Sequence, residues 1–266
     1  MAEYFNTSLA TALVWVHPAQ GASRVTEEGQ ALAGRLYYRA GAADLHGFAP
    51  YGMQSGASAG AALAWVATDA LELHASARYL HQYRGIAMSV PSSGLLPLLH
   101  VSTPWQVRQQ NDVTQVLLGM IWTSESQHSL LLEAWWDGSA ASAGQWRDWS
   151  RRNRALLARL PDAVPALQAP LAYNLAWQGG LLSAASNIQR KNLFARWSWQ
   201  TGAWQPAFDL LWTPEDGGRV ATAALSWQGD QLHIDTGVRR YGGPRASVLA
   251  QLPELTLAYV AASWAF

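Results

Sequence analysis

The chain has no cysteine, a single lysine (Lys191), few charged residues and no apolar run long enough to form a membrane-crossing helix. The absence of cysteine excludes a disulfide framework and any thiolate metal or redox centre. Charged residues make up only 14% of the sequence and hydrophobic ones 50%, whereas a water-soluble domain carries roughly 25% charged residues. A helical span needs about 18 or more mainly apolar residues, and here charges, Gln, Asn or turn residues interrupt every apolar stretch. The formal net charge is zero, so the basic footprint of a nucleic-acid binder is missing. There is no zinc-ligand spacing, phosphate loop or Gly-rich nucleotide fingerprint, so no cofactor or metal is expected.

A surface this poor in charge suits lipid. Inside a bilayer every backbone N–H and C=O must be paired within the protein, which leaves only helices and closed barrels. With helices excluded, the expectation is a single domain spanning residues 1–266, an all-β transmembrane antiparallel up-and-down β-barrel. That reading also carries the expectation of a removed secretory leader, with Ala2 near the mature start.

The period-two signal is clearest from Leu71 to Tyr79. There Leu71, Leu73, Ala75, Ala77 and Tyr79 alternate with Glu72, His74, Ser76 and Arg78. Leu232 to Arg239 repeats the pattern, with His233, Asp235, Gly237 and Arg239 on the polar side. Short turns at 68–70, 124–127, 201–203 and 228–231 read as tight hairpins. Barrels of this kind place short turns on one side and long loops on the other. A count that omits two weak segments gives about twelve strands and violates that rule. Those twelve include Leu171–Trp177, and adding Leu45–Met53 and Leu181–Ile188 restores the rule with both termini on the short-turn side. The count then becomes about fourteen, with about 12 or about 16 as alternatives.

Tryptophan supports the same frame, because aromatic girdles mark both membrane interfaces. Trp65, Trp122, Trp177, Trp197, Trp199, Trp227 and Trp264 fall near the short-turn side, and Trp135, Trp136, Trp212, Tyr83 and Tyr241 near the other. The sequence ends on Phe266 after Ala258, Val260, Ala262 and Trp264 on one face. This final strand resembles the assembly signal of bacterial outer-membrane β-barrel proteins. By overall size the chain is similar to the small monomeric porin-like class. The resemblance implies the outer membrane of a Gram-negative cell, the lipid bilayer and lipopolysaccharide as surroundings, and passive diffusion or export of small solutes. A partner protein that the barrel anchors or seals stays open as an alternative.

If the apolar faces point outward, the lumen is lined by Arg35, Arg39, Glu72, His74, Arg78, Glu133, Asn174, Gln178, Arg196, Gln205, Asp209, His233, Asp235 and Arg239. Both charge signs occur in similar number. Such a lining suits a water-filled channel of weak ion preference, or a salt-bridged network that closes it. Ala143 to Leu160 breaks the strand pattern, with Trp146, Trp149, Leu156, Leu157 and Leu160 at helical spacing and Arg147, Arg151 and Arg154 on another face. It reads as an amphipathic helix in an external loop. The Gln82 to Asp112 stretch reads as an apolar loop at the mouth.

Two His-x-Ser pairs, His74-Ala75-Ser76 and His100-Val101-Ser102, have the composition of a base-activated nucleophile, with Glu72 placed to orient His74. They make a lipid-active hydrolase the alternative activity. His46, His74 and His233 are the histidines that a barrel interior would have to bring together for a metal site.

Overall fold

A computed structural model describes residues 2–6, 8–16, 30–52, 56–88, 105–180, 187–252 and 254–265. Among the described residues, thirteen strands form one antiparallel sheet in which every strand is hydrogen-bonded to its neighbours in sequence. They are β1 (Ala2–Phe5), β2 (Leu9–Val16), β3 (Ala31–Ala40), β4 (Ala43–Gly52), β5 (Gly56–Thr68), β6 (Leu71–Met88), β7 (Trp105–Thr123), β8 (His128–Asp137), β9 (Lys191–Trp199), β10 (Trp204–Thr213), β11 (Gly218–Gln228), β12 (Leu232–Gly242) and β13 (Thr256–Trp264). Two helices, α1 (Ala143–Arg159) and α2 (Pro165–Gly180), stand between β8 and β9. A turn of 3-10 helix, Leu249–Gln251, stands between β12 and β13.

The expected alternation of connections is present in part. The connections after β1, β3, β5, β7, β9 and β11 are tight and those after β6, β8 and β12 are long, but the connection after β10, residues 214–217, is a short turn on the side expected to carry long loops. The weak strand at Leu45–Met53 exists as β4, with an unbroken register against β3 from Ala31↔Gly52 to Ala40↔Ala43. The count of fourteen does not hold. Leu171–Trp177 is helical, within α2. Of Leu181–Ile188, residues 181–186 lie outside the described ones, and Asn187 and Ile188 belong to no strand. The stretch from Ala2 to Val16 holds two strands, β1 and β2. Asn6 breaks it by accepting the backbone N–H of Ser8 (2.9 Å) and of Leu9 (2.7 Å) on its side-chain oxygen, which is an Asx turn.

Helix α2 forms because its segment is rich in Ala, Leu and Gln, starts with a proline at its first position, where the missing N–H is not needed, and repeats leucine at Leu167, Leu171 and Leu175. Pro170 removes one internal hydrogen bond. The helix persists because Leu171 is buried with Leu156 of α1, and Ala155, Leu160, Ala163 and Leu175 pack around them. Helix α1 starts on a capping box. Ser142 accepts the N–H of Gln145 at 3.3 Å, and Gln145 accepts the N–H of Ser142 at 2.8 Å.

Tertiary contacts divide the chain into two compact units. Unit 1 holds 1–84, 109–139 and 193–207, and unit 2 holds 85–108, 140–192 and 208–266. In unit 1 the apolar side chains of β2 to β5 and β7 are exposed along the strands, with Trp15 at 66% and Leu118 at 59%. Ring-over-glycine contacts lock neighbouring strands on the opposite face. A Cβ on Gly60 would lie 2.2 Å from the Phe48 ring, its register partner, and one on Gly119 would lie 2.2 Å from His74. Gly60→Val is therefore expected to cost about 1–3 kcal/mol through overpacking. Urea unfolding in lipid vesicles checks this, and the cost should fall in a Phe48→Ala background, where the ring is gone and the Ala77 carbonyl oxygen, 2.9 Å away, is the remaining close contact.

Unit 2 combines a strand surface of the same kind with a conventional packed core. Val260 of β13 is 77% exposed and Trp264 is 57% exposed. Gly237 of β12 makes room for the Tyr259 ring, again its register partner. The core gathers Trp105, Ala141, Trp146, Trp149 and Val248, with Ile86, Met88 and Ile188 against it. This cluster explains why β6 and β7 run on to Met88 and from Trp105, where a loop was expected across Gln82 to Asp112. Their extended ends have α1 to bury against. Leu95 to Leu99 and the His100-Val101-Ser102 pair lie outside the described residues.

Arg152 of α1 is fully buried at 0% exposure, and among the described residues none of its three guanidinium nitrogens has a hydrogen-bond partner. Burial pulls its pKa below the ordinary range, yet a guanidinium stays charged at physiological pH. Replacing even a buried ion pair by apolar residues of similar volume is neutral or stabilising by about 1–4 kcal/mol, and an unpaired charge has no such attraction to lose. Arg152→Met is accordingly expected to raise the melting midpoint of the near-ultraviolet circular dichroism contributed by Trp146 and Trp149.

Candidate functional site

Strand alternation and register decide which side chains share the face opposite the exposed apolar one. In unit 1, Arg35, Tyr37 and Arg39 of β3 stand against Phe48, His46 and Asp44 of β4. The Tyr37 hydroxyl donates to Asp44 Oδ1 at 2.5 Å, and the Arg39 Nε lies 3.8 Å from the same oxygen. The His46 ring sits 4.9 Å from that of Tyr37. The next polar row belongs to β6, where Glu72, His74, Ser76 and Arg78 face Val66, Ala64, Ala62 and Gly60 of β5. These β5 residues are small apart from Val66, which leaves the β6 side chains room to extend.

His74 Nε2 lies 3.1 Å from Glu133 Oε1, with both side chains largely buried. The partner that fixes this imidazole is therefore Glu133 of β8, in place of the Glu72 expected from sequence proximity. Among the described residues no hydrogen bond joins His74 to Ser76. Around the pair the face is not wholly polar. Register places Leu117 and Ile121 of β7 opposite Trp135 and Leu131 of β8, on the same side as Glu133. Parity alone suggested a lining more uniformly polar than this one. At the end of β8, Asp137 is buried and accepts from Gln115 Nε2 (3.0 Å) and from the Ser139 N–H (2.9 Å).

In unit 2 the corresponding face carries His233, Asp235 and Arg239 of β12. His233 Nε2 and Asp235 Oδ2 are 2.7 Å apart. Ser226 of β11 donates to Asp235 Oδ1 at 2.5 Å. The Arg239 Nε donates to the Thr222 hydroxyl at 3.2 Å. Arg196 of β9 alternates with the exposed Trp197, and Asp209 of β10 with the exposed Phe208 and Leu210, so each lies on the non-apolar side of its strand. Asn174 and Gln178 do not belong to this set. Both lie in α2 and not on a strand.

The three histidines singled out for a metal site are each engaged locally, His46 with Tyr37, His74 with Glu133 and His233 with Asp235. Among the described residues no three His, Asp or Glu side chains gather in a metal-holding group.

Of the tryptophans expected at one interface, Trp65, Trp122, Trp199 and Trp264 are exposed near the short-turn ends of β5, β7, β9 and β13. Trp227 is half-buried, its ring lying over Gly229. Trp177 falls in α2 and leaves the set. Trp204, exposed at the start of β10, belongs there and was missed. The signal for it was its place directly after the short turn at Thr201. In unit 1, His128 stacks on Trp197 and Trp199, with ring centroids 5.8 and 5.3 Å away.

The polar network that sequence reasoning missed altogether lies in unit 2, at the β10–β11 turn. Asp216 Oδ1 accepts from the Thr213 hydroxyl (2.7 Å) and the Gly218 N–H (2.9 Å). Its Oδ2 accepts from Gln189 Nε2 (2.9 Å) and the Val248 N–H (2.9 Å). One carboxylate thus ties three connections together.

No protein-family model and no curated protein matches the chain. Solved structures do. One substituted form of the Rh. blastica porin superposes with a TM-score of 0.54 at 9% identity, covering 99% of this chain and 75% of that one. A second substituted form gives a TM-score of 0.53 at 8% identity, over 98% of this chain and 75% of that one. At such low identity the likeness concerns backbone architecture, and it agrees with the exposed apolar strand faces and the tight and long connections seen here. The fold of this chain is therefore porin-like, one antiparallel sheet whose strands follow one another in sequence.

Proposed function

We propose that the chain is an outer-membrane channel, its sheet closed into a barrel, through which small solutes pass by passive diffusion or export. The observation that carries this reading is the reversed surface of the strands. Side chains such as Val260, Leu118 and Trp15 are exposed mid-strand or at strand ends, while the opposite face holds hydrogen-bonded pairs of both charge signs. An apolar exterior costs nothing in lipid and is unfavourable in water. The polar face becomes the lumen, with Arg35, Arg39, Glu72, Arg78 and Arg239 among the groups that meet a passing solute. The exposed tryptophans at the short-turn ends lie at the inner membrane interface, and the long connection carrying α1 and α2 restricts access from outside.

Planar-bilayer recording tests the proposal. Purified protein is expected to insert as discrete conductance steps, and a folded protein that carries no current at any voltage or pH refutes it. The mixed lining predicts weak ion selectivity. Glu133→Gln removes one lumenal carboxylate, so the reversal potential in a KCl gradient should move toward anion preference.

A further inference from the structure

Unit 2 contains a cavity of about 350 Å³ between α1, the β10–β11 turn and the segment leading into the 3-10 helix. This is the small end of the roughly 300–1,000 Å³ range of ligand pockets. Arg147, Arg151 and Arg154 line it from successive turns of α1, Glu215 lines it from the turn, and Trp146, Ala246 and Val248 supply apolar wall.

The charges in this lining are opposed but do not touch. Glu215 makes no ion pair or hydrogen bond among the described residues, and its Oε2 is screened from water without a donor. Arg147 makes no hydrogen bond among the described residues. Arg154 uses only its Nε, donating to the Ser150 carbonyl at 3.4 Å. Arg151 lies 3.4 Å from Asp148 on its own helix. Asp216, the other carboxylate in the wall, is already saturated by its four donors. A simple anion would be drawn to the arginines but would leave Glu215 without a donor and be repelled by it. A simple cation meets the reverse problem.

We propose that this cavity is a recognition site for a small zwitterion of the α-amino-acid or short-peptide type. Its carboxylate lies on the guanidinium forks of Arg147 and Arg154, where paired N–H donors match two oxygens. Its ammonium lies toward Glu215, and its side chain rests on Trp146 and Val248. The site is assembled within unit 2 alone and does not depend on conduction.

Titration calorimetry on the detergent-solubilised full chain provides the test, with L-alanyl-L-alanine, propionate and propylamine as probes. The dipeptide is expected to bind at least tenfold more tightly than either half-probe. Arg147→Gln should weaken dipeptide binding tenfold or more, and Glu215→Gln should erase its advantage over propionate. Equal affinity for dipeptide and propionate, no saturable heat from the dipeptide, or binding untouched in Glu215→Gln would each overturn the proposal. Near-ultraviolet circular dichroism of each variant shows whether the Trp146 cluster has kept its packing, and the ranking of the three probes on the unaltered chain decides the matter without any variant. Recording conductance on the same preparation keeps the two readings apart: a conducting protein that binds no dipeptide sinks only this site, and a binding protein that does not conduct sinks only the channel.

Discussion

Val260→Arg is expected to destabilise the folded chain in a bilayer by about 2–4 kcal/mol, the cost of a guanidinium at the lipid midplane of a transmembrane barrel. Val260 stands midway along β13 and is 77% exposed. It pairs in register with Thr236, whose side chain lies on the same face as the exposed Val238 of β12. If water covered that face, the substitution would remove a badly placed valine and change stability by less than about 0.5 kcal/mol, as at an ordinary surface position. The two cases differ severalfold in size. Denaturant titration in phospholipid vesicles reads the difference directly. Val260→Leu, which keeps the apolar character, should leave the midpoint nearly unmoved. A neutral outcome for the arginine variant would remove the main support for a lipid-facing sheet.

The strand frame was legible in the sequence because period-two alternation is local. Leu71 to Tyr79 and Leu232 to Arg239 contain their own evidence, and the structure places both on strands as read. Helix α1 was legible for the same reason, through the spacing of Trp146, Trp149 and Leu156, all buried. Helix α2 was not. Leu171, Tyr173, Leu175 and Trp177 alternate with period two, and Leu167, Leu171 and Leu175 also recur every four residues, so local pattern supports either form. What decides is the contact of Leu171 with Leu156 of α1, a tertiary fact.

The polar face shows the same division. Membership in it follows from parity within each strand, which is why His74, Glu133, His233 and Asp235 were all on it. Partnership does not, because His74 and Glu133 are 59 residues apart in sequence and meet only through the alignment of β6, β7 and β8. Proximity in sequence pointed to Glu72 instead. The thinning of the polar lining at Leu117 and Trp135 was hidden for a related reason. These residues sit in nearly continuous apolar runs, where alternation gives no contrast between the two faces.

Asp216→Ala should be among the most damaging single substitutions outside the strands. Its carboxylate accepts four hydrogen bonds, from Thr213, Gln189 and the backbone N–H groups of Gly218 and Val248. Hydrogen bonds to a charged group contribute roughly 1.5–3 kcal/mol each, and a buried donor left without an acceptor carries a desolvation cost. The four bonds share one acceptor group, so their contributions do not add in full, and an overall loss of about 3 kcal/mol or more follows. The damage should be local in character. Val248 belongs to the Trp105, Trp146 and Trp149 cluster, so releasing its backbone should loosen that packing and lower the near-ultraviolet circular dichroism of the tryptophans. The far-ultraviolet strand signal should persist, because hydrogen bonding between β11 and β12 continues in register from Arg219↔Gly242 to Gln228↔His233 without any help from the turn. Asp216→Asn separates charge from geometry. It keeps one acceptor oxygen for the Thr213 and Gly218 donors but presents an amide where Gln189 and Val248 need an acceptor, so it should recover roughly half of the loss. Recovery of nearly all of it would mean that the Oδ2 contacts to Gln189 and Val248 contribute little, and that the turn holds itself together through Oδ1 alone.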